Sequence, residues 1–403
     1  MSHIVVVGAG QAGQALVCKL RELKFDGQIT LIGEEPVPPY QRPPLSKDYL
    51  LGKTEVERLY LRPLEYYGEH DITLRTGQKV TGVDPVNKTV QVAGEEISYD
   101  HLALTTGAIP HRLPAAIGGE LKGLHVVRTL ADVDRMEPEF QAGRNVLIVG
   151  GGYIGLEAAA VAARKGLNVT LVEMADRILQ RVAARETSDF VRATHEKEGV
   201  TIREGVGLKQ LNGDGTVQSA TLSDGSELPV DFVIVGVGVA PATEVAQMAG
   251  LTLDNGICTN ELGQTSDPSI WSAGDCASFP YKGTRIRLES VGNANDQAEL
   301  VAENMLGAGK AYEAQPWFWS DQYEMRLQIA GLNTGYDNVV TRPGKDETSM
   351  SFWYFQGDRL LAVDAITDPR SYMVAKRLIA MGKSPSRSAI ADPETNLKLL
   401  LKA

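Results

Sequence analysis

The stretch Ile4-Val5-Val6-Val7-Gly8-Ala9-Gly10-Gln11-Ala12-Gly13 decides the fold. Four consecutive β-branched residues make a short apolar run of the kind that fills a buried strand. Gln14 to Leu23 follows with Leu16, Leu20 and Leu23 at helical spacing. Strand, glycine turn and helix in that order build a phosphate-binding device. Gly8 permits the tight turn, Gly10 lets the backbone approach a pyrophosphate, and Gly13 lets helix and strand pack closely, so the helix N-terminus can hold phosphates. Gly8, Gly10, Ala12 and Gly13 are therefore candidate cofactor contacts. A second apolar strand, Ile29 to Ile32, ends at Gly33-Glu34-Glu35, near the ~20-residue offset at which a carboxylate takes the ribose hydroxyls of an adenine dinucleotide. The residues leave open which of Glu34 and Glu35 does so.

The same unit recurs. Asn145 to Val149 is apolar, Gly150-Gly151-Gly152-Tyr153-Ile154-Gly155 follows, then an alanine-rich helix from Leu156 to Arg164, and a strand from Val169 to Val172 closes on Glu173. Gly150, Gly152, Tyr153, Ile154, Gly155 and Glu173 are the counterpart contacts. A carboxylate at Glu173 favours the 2′-hydroxyl of NADH over the 2′-phosphate of NADPH by like-charge repulsion, an inference that the nearby Arg177 and Arg181 weaken. Two dinucleotide sites in one chain point to a bound flavin that accepts hydride from a diffusing nicotinamide cofactor. Two further runs fit that plan. Ile270 to Asp275 is strand-like and closes on Gly274-Asp275, and Val233 to Pro241 opens into a glycine turn containing Gly238.

Composition sets bounds on this reading. A chain of 403 residues, 43% hydrophobic and 23% charged, is long enough for two or three domains. Its 40 Lys+Arg against 51 Asp+Glu give a net charge of −11, which argues against whole-surface attraction to nucleic acid or to an anionic membrane. Cys18, Cys258 and Cys276 contain no CxxC pair, and the six histidines are scattered, so neither a disulfide framework nor a metal site is expected. The apolar strand beginning at Ile4 leaves no room for a signal peptide, and no run of ~18 apolar residues occurs, so a cytoplasmic protein without membrane spans is expected.

Six motifs then occur in order: Pro39-Tyr40-Gln41-Arg42-Pro43-Pro44-Leu45-Ser46-Lys47, Thr105-Thr106-Gly107-Ala108, the second glycine loop with Glu157, Ala273-Gly274-Asp275-Cys276, Arg287-Leu288-Glu289-Ser290, and Pro316-Trp317-Phe318-Trp319-Ser320-Asp321-Gln322-Tyr323. Over essentially its whole length the chain resembles the NADH-dependent, FAD-containing ferredoxin reductases of oxygenase systems, the putidaredoxin reductase and biphenyl dioxygenase ferredoxin reductase type. The resemblance implies an α/β fold with two Rossmann-like dinucleotide-binding domains, glutathione-reductase-like, plus a C-terminal α/β domain. The expected division is 1–111 with 244–322 for FAD, 112–243 for NAD, and 323–403 for the C-terminal domain. It also implies that Arg42 lies on the FAD pyrophosphate and Lys47 near flavin N5. Val80 would touch the adenine, Arg128 would lie along the cofactor, and Asp275 and Val291 would reach its ribityl and ring ends. Glu157 would stand near the nicotinamide carboxamide, paired with Lys47 until NADH enters, and Trp319 beside the flavin. Thr105 departs from the family, which often has Ala there; little consequence is expected.

Disulfide reductases and cysteine-dependent NADH oxidases share the two-nucleotide fold, but need a thiolate about ten residues after the first ribose-binding strand. Here that segment holds no cysteine, so electrons are expected to leave the flavin singly for an external [2Fe-2S] ferredoxin. Small ferredoxins are usually acidic. Between Asp368 and Asp392 the chain carries Arg370, Lys376, Arg377, Lys383 and Arg387 without an acidic residue, a basic window that would steer such a partner. Two other readings stand beside this one: a related reductase of rubredoxin, quinone or monodehydroascorbate, and a redox-sensing protein like apoptosis-inducing factor. Family likeness suggests a monomer or weak dimer.

Overall fold

The computed structural model describes residues 2–402. The chain divides into two compact units: Met1–Arg42, Glu55–Ile109 and Val239–Pro316 form the first, and Pro43–Thr54, Pro110–Gly238 and Trp317–Ala403 the second. The α/β class expected from the sequence holds, because each unit is built on a parallel sheet.

In the first unit five parallel strands run in the order Ile270–Ser272, His101–Leu104, His3–Val7, Gln28–Ile32, Ile72–Arg75. The apolar run at the chain start lies centrally, which is why Ile4, Val5 and Val6 are fully buried on both faces. One face packs on helices Gln11–Glu22 and Val291–Met305 through Leu16, Leu20, Ala298 and Val301. The other packs on the antiparallel strands Val80–Asp84 and Thr89–Val92.

In the second unit the parallel order is Thr201–Glu204, Asn168–Glu173, Asn145–Val149, Phe232–Val235, Leu124–His125. The unit also holds a five-stranded antiparallel sheet, Trp317–Gln322, Met325–Gly331, Arg359–Ile366, Met350–Gln356, Asn338–Pro343, backed by helix Pro369–Ala380, whose Leu378 packs with Trp353, Phe355 and Val363.

One buried carboxylate in this unit carries a stability cost. Asp364 accepts from Thr187 Oγ1 at 2.8 Å and from the Tyr354 hydroxyl, neither of them a cation, and burial pushes its carboxyl up to about 6. A raised native value for an acid means that stability is lost as pH climbs from the ordinary carboxylate range to about 6 and stays lost above it. Both donors sit on the same oxygen, so an amide can keep them. Asp364→Asn is expected to be more stable than wild type at pH 8 by up to about 3 kcal/mol, with the gap closing toward pH 4. His195, whose burial lowers it to about 4, works in the opposite sense over the same window, so the effect is read as the difference between the two denaturation curves.

Candidate functional site

The two glycine loops are built alike. Gly8 has φ +114° and Gly150 φ +107°, a region that favours glycine. A Cβ at Gly13 would run into the carbonyl oxygen of Gly8, and one at Gly155 into that of Gly150. At Gly10 and Gly152, by contrast, a Cβ would meet nothing within 4 Å. Each loop therefore has its first and last glycine consumed by chain packing and its middle glycine facing open space at the start of a twelve-residue helix, Gln11–Glu22 or Tyr153–Arg164. That is the cradle a dinucleotide pyrophosphate fills, so the residues present fit the group at both loops.

Around the first loop the structure gathers residues far apart in sequence. A Cβ on Gly274 would lie 3.0 Å from that of Ala12 and 3.8 Å from that of Ala294, and Gly274 N–H donates to Gln297 Oε1 at 2.9 Å. Asp275 follows, half-buried, its carbonyl accepting from Arg287 at 3.1 Å. Val291 opens the adjacent helix, capped by Ser290, whose hydroxyl accepts from Asn293 N–H at 3.2 Å. Val80 is buried at the start of its strand. Glu34 is exposed, whereas Glu35 is half-buried and engaged by Arg42 at 2.6 Å and by the Tyr40 hydroxyl at 2.6 Å. Burial opposes the Arg42 charge, but Tyr40, Glu35 and Asp275 outweigh it and hold the guanidinium protonated. Thr105, taken from sequence as inconsequential, donates its hydroxyl to the Gly8 carbonyl at 2.9 Å and so braces the loop, a role that only the strand pairing reveals.

Around the second loop, Glu173 Oε2 accepts from Gly151 N–H at 2.7 Å and Oε1 from Ala175 N–H at 2.8 Å, which pins the carboxylate beside the loop. Arg177 turns inward, donating to Ser188 Oγ at 2.5 Å and Ala183 O at 2.8 Å, while Arg181 stays exposed near Gly238, which has φ +96°. Of the two arginines weighed against Glu173, one is thus committed to the interior. Ile154 is exposed, and the Tyr153 ring lies 4.8 Å from that of Phe318.

This unit also contains Lys47, Arg128, Glu157 and Trp319. Glu157, 2% exposed, pairs with Lys47 at 2.8 Å and accepts from Ser46 Oγ at 2.5 Å and Ser320 Oγ at 2.6 Å. Lys47 also donates to Pro43 O at 3.3 Å. Trp319 stacks on Trp317 with centroids 5.4 Å apart and planes 20° from parallel. Arg128 is half-buried just before the helix Leu130–Met136, whose first turn is closed by Thr129 and Asp132 bonding reciprocally. Ser320 and Gln322, quoted from sequence only as part of the 316–323 motif, and His195 are bonded in series behind Glu157, a role the sequence did not give them. Histidine scatter gave no signal, and the alternation of strand 317–322 was the only clue.

The three cysteines are free. Cys18 and Cys276 are buried, the latter donating to the Leu104 and Ala273 carbonyls at 3.5 Å each, and none lies in the segment that leads from Glu34 to Lys47. Among the described residues no group of three or more potential metal ligands occurs, and no helix is long and apolar enough to cross a membrane.

Residues 2–298 match the pyridine nucleotide-disulphide oxidoreductase family, and residues 317–401 the reductase C-terminal family. The chain belongs to the pyridine nucleotide-disulphide oxidoreductase family. Among its relatives, rhodocoxin reductase of Rhodococcus erythropolis is 40% identical over 402 residues, covering 99% of this chain and 94% of that one. Putidaredoxin reductase of Pseudomonas putida is 39% identical over 409 residues, covering 100% and 97%. The fold matches the covalent putidaredoxin reductase-putidaredoxin complex with a TM-score of 0.96 at 38% identity, over 100% of this chain and 98% of that chain. This member of the oxidoreductase family carries the duplicated nucleotide loops without a cysteine in the segment where the thiol-dependent enzymes need one.

Proposed function

We propose that the chain is an FAD-containing NADH:ferredoxin reductase that supplies electrons to a cytochrome P450 or Rieske-type oxygenase. The observation that carries the reading is the duplicated cradle: two loops of one geometry, in a chain with no cysteine between Glu34 and Lys47. FAD, one per chain, takes the first loop and NADH the second; the flavin supplies the conversion of a two-electron hydride donor into single electrons for an iron–sulfur carrier. Residues 1–111 and 244–322 form the FAD domain, 112–243 the NAD domain and 323–403 the C-terminal domain.

The chain's own residues then bind and orient. Gly8, Gly10, Ala12, Gly13 and Arg42 take the FAD pyrophosphate, Glu34 or Glu35 its ribose, and Val80, Arg128, Gly274, Asp275 and Val291 the remainder. Gly150, Gly152, Tyr153, Ile154, Gly155 and Gly238 take the nicotinamide dinucleotide. Glu173 admits a ribose hydroxyl and repels a 2′-phosphate. Lys47 and Glu157 align the reacting ends, so proximity rather than a nucleophile supplies the rate. The enzyme works in the cytoplasm as a monomer or weak dimer.

The basic window supports a docking surface of narrower extent than its charge count. Lys376 rests over the Trp317 ring at 4.9 Å, Lys383 donates to Leu401 O at 3.1 Å, and Arg387 faces Asp358 at 3.4 Å. Arg370 and Arg377 are exposed, beside the exposed Met373 and Met381. A mixed apolar and basic face next to the Trp317–Trp319 stack suits an acidic carrier. Reversing Arg370 and Arg377 to Glu is expected to lower ferredoxin reduction at low salt by about tenfold and to have little effect at high salt. Reduction of ferricyanide by NADH serves as the reference that needs no docking.

The function itself is tested by mixing the protein with NADH, a bacterial [2Fe-2S] ferredoxin and cytochrome c. Rapid turnover that depends on ferredoxin supports it. Slow reduction with a long-lived charge-transfer band, whether or not ferredoxin is present, speaks for a redox sensor instead.

A further inference from the structure

Strand Trp317–Gln322 alternates its side chains, so Trp317 and Trp319 share one face while Phe318, Ser320 and Gln322 share the other. The second face meets helix Tyr153–Arg164, on which Tyr153 and Glu157 stand one turn apart. From there a single file of hydrogen bonds runs inward. Ser320 Oγ lies 2.6 Å from Glu157 Oε1, Gln322 Nε2 lies 3.0 Å from Ser320 Oγ, His195 Nε2 lies 2.7 Å from Gln322 Oε1, and the Tyr323 hydroxyl lies 3.3 Å from His195 Nδ1. Ser320, Gln322 and His195 are each at most 1% exposed, so water does not substitute for any member.

The directions are coupled. The Gln322 amide nitrogen only donates, so the Ser320 oxygen receives it and the one Ser320 hydrogen is left for Glu157. The Gln322 oxygen only accepts, so His195 carries its hydrogen on Nε2 and its Nδ1 receives the Tyr323 hydrogen. His195 is held neutral by burial, which fits this single-hydrogen arrangement. With the amide reversed, Ser320 would donate to Gln322 and would leave two oxygens facing each other at 2.6 Å, unless Glu157 were protonated. An ionised Glu157 therefore fixes the direction of the whole file.

We propose that Ser320, oriented by Gln322 and His195, is a positioning residue for the nicotinamide step: it keeps Glu157 an anionic acceptor, with one oxygen anchored while the other exchanges Lys47 for the incoming carboxamide. The proposal rests on the reading of the chain as an NADH-dependent flavoprotein reductase. The titratable groups that face Glu157 are Lys47 from the segment after Pro43 and Tyr153 from its own helix; His195 and Tyr323 act through the file.

The test compares wild type, Ser320→Ala and Ser320→Thr. Removing one donor from a buried carboxylate makes proton uptake easier. Ser320→Ala should lose about tenfold in kcat/KM for NADH with ferricyanide as acceptor, mainly through KM, and the loss should deepen as pH falls. Stability of the cofactor-free protein should show the reverse pH trend. The variant's deficit against wild type should grow from pH 5 to pH 8, because the lost hydroxyl is a donor to the charged form of the carboxylate and its loss is felt in full only where that form prevails. Ser320→Thr, which keeps the hydroxyl, should restore both profiles. Should Ser320→Ala not fold, Gln322→Met should show the same two trends at about threefold. PH-independent deficits in both measurements, or a Ser320→Thr variant as impaired as Ser320→Ala, would overturn the proposal. Wild type that is not bleached by NADH would instead refute the reductase reading on which it rests.

Discussion

Gly13→Ala yields a colourless protein, while Gly155→Ala yields a yellow protein that NADH no longer bleaches: this double dissociation is the first expected result. At both positions a single methyl would strike a backbone carbonyl of its own loop, that of Gly8 or of Gly150, which cannot rotate aside as a side chain would. Alanine gains about 1 kcal/mol of helix propensity over glycine. Overpacking of this kind costs about 1–3 kcal/mol or more, and here the displaced atoms are the ones that form the phosphate cradle. The net effect falls on the loop, so affinity for the dinucleotide should drop by at least a hundredfold while the rest of each sheet stays folded. Gly10→Ala and Gly152→Ala provide the contrast. Nothing lies within 4 Å of either Cβ, so both chains should fold with wild-type stability, and both should lose nucleotide because the methyl occupies the space the pyrophosphate needs. Flavin content of the purified protein and single-turnover bleaching by NADH read all four variants.

The second large effect concerns Lys47 and Glu157. Taking away one member of a buried ion pair costs about 3–5 kcal/mol, because the remaining charge is left desolvated. Lys47 is 16% exposed and keeps the Pro43 carbonyl at 3.3 Å, so Glu157→Leu should fall at the low end of that range. Lys47→Met should fall at the high end, since Glu157 would keep only the two serine donors. Lys47→Met with Glu157→Leu should recover most of the stability. It should not recover the rate: flavin reduction by NADH should remain at least tenfold slow in the double variant. Urea denaturation and stopped-flow reduction of the same three proteins separate the two quantities. Recovery of both together would mean that the pair serves packing alone.

What the sequence disclosed and what it concealed divide along a physical line. The glycine loops were legible because the first and last glycine of each answer a local demand, a positive φ at Gly8 and Gly150 and contact with a carbonyl five residues away at Gly13 and Gly155. Even there, apolar spacing started the two helices at Gln14 and Leu156, whereas they begin at Gln11 and Tyr153. The first turn is made from loop residues that face a ligand rather than a core, and so carries no apolar period. Concealed were contacts between distant segments. Glu157 and Ser320 meet across 163 positions, and Thr105 reaches Gly8 across 97. His195 looked like any scattered histidine until it proved to be fully buried behind Gln322. The basic window shows the converse. Five cations in a row suggested one surface, yet an aromatic ring, a backbone carbonyl and a carboxylate claim three of them, because tertiary packing rather than charge order decides where a long side chain rests.

On the proposed function, flavin is the sole redox relay in this chain, placed between a hydride donor and a one-electron carrier, with no thiol taking part. Anaerobic titration with NADH, repeated after alkylation of the cysteines, measures it directly. The expected result is complete bleaching at one equivalent of NADH per FAD, with the same end point before and after alkylation. Consumption of a second equivalent with appearance of new thiols, or loss of bleaching once the cysteines are blocked, would contradict it.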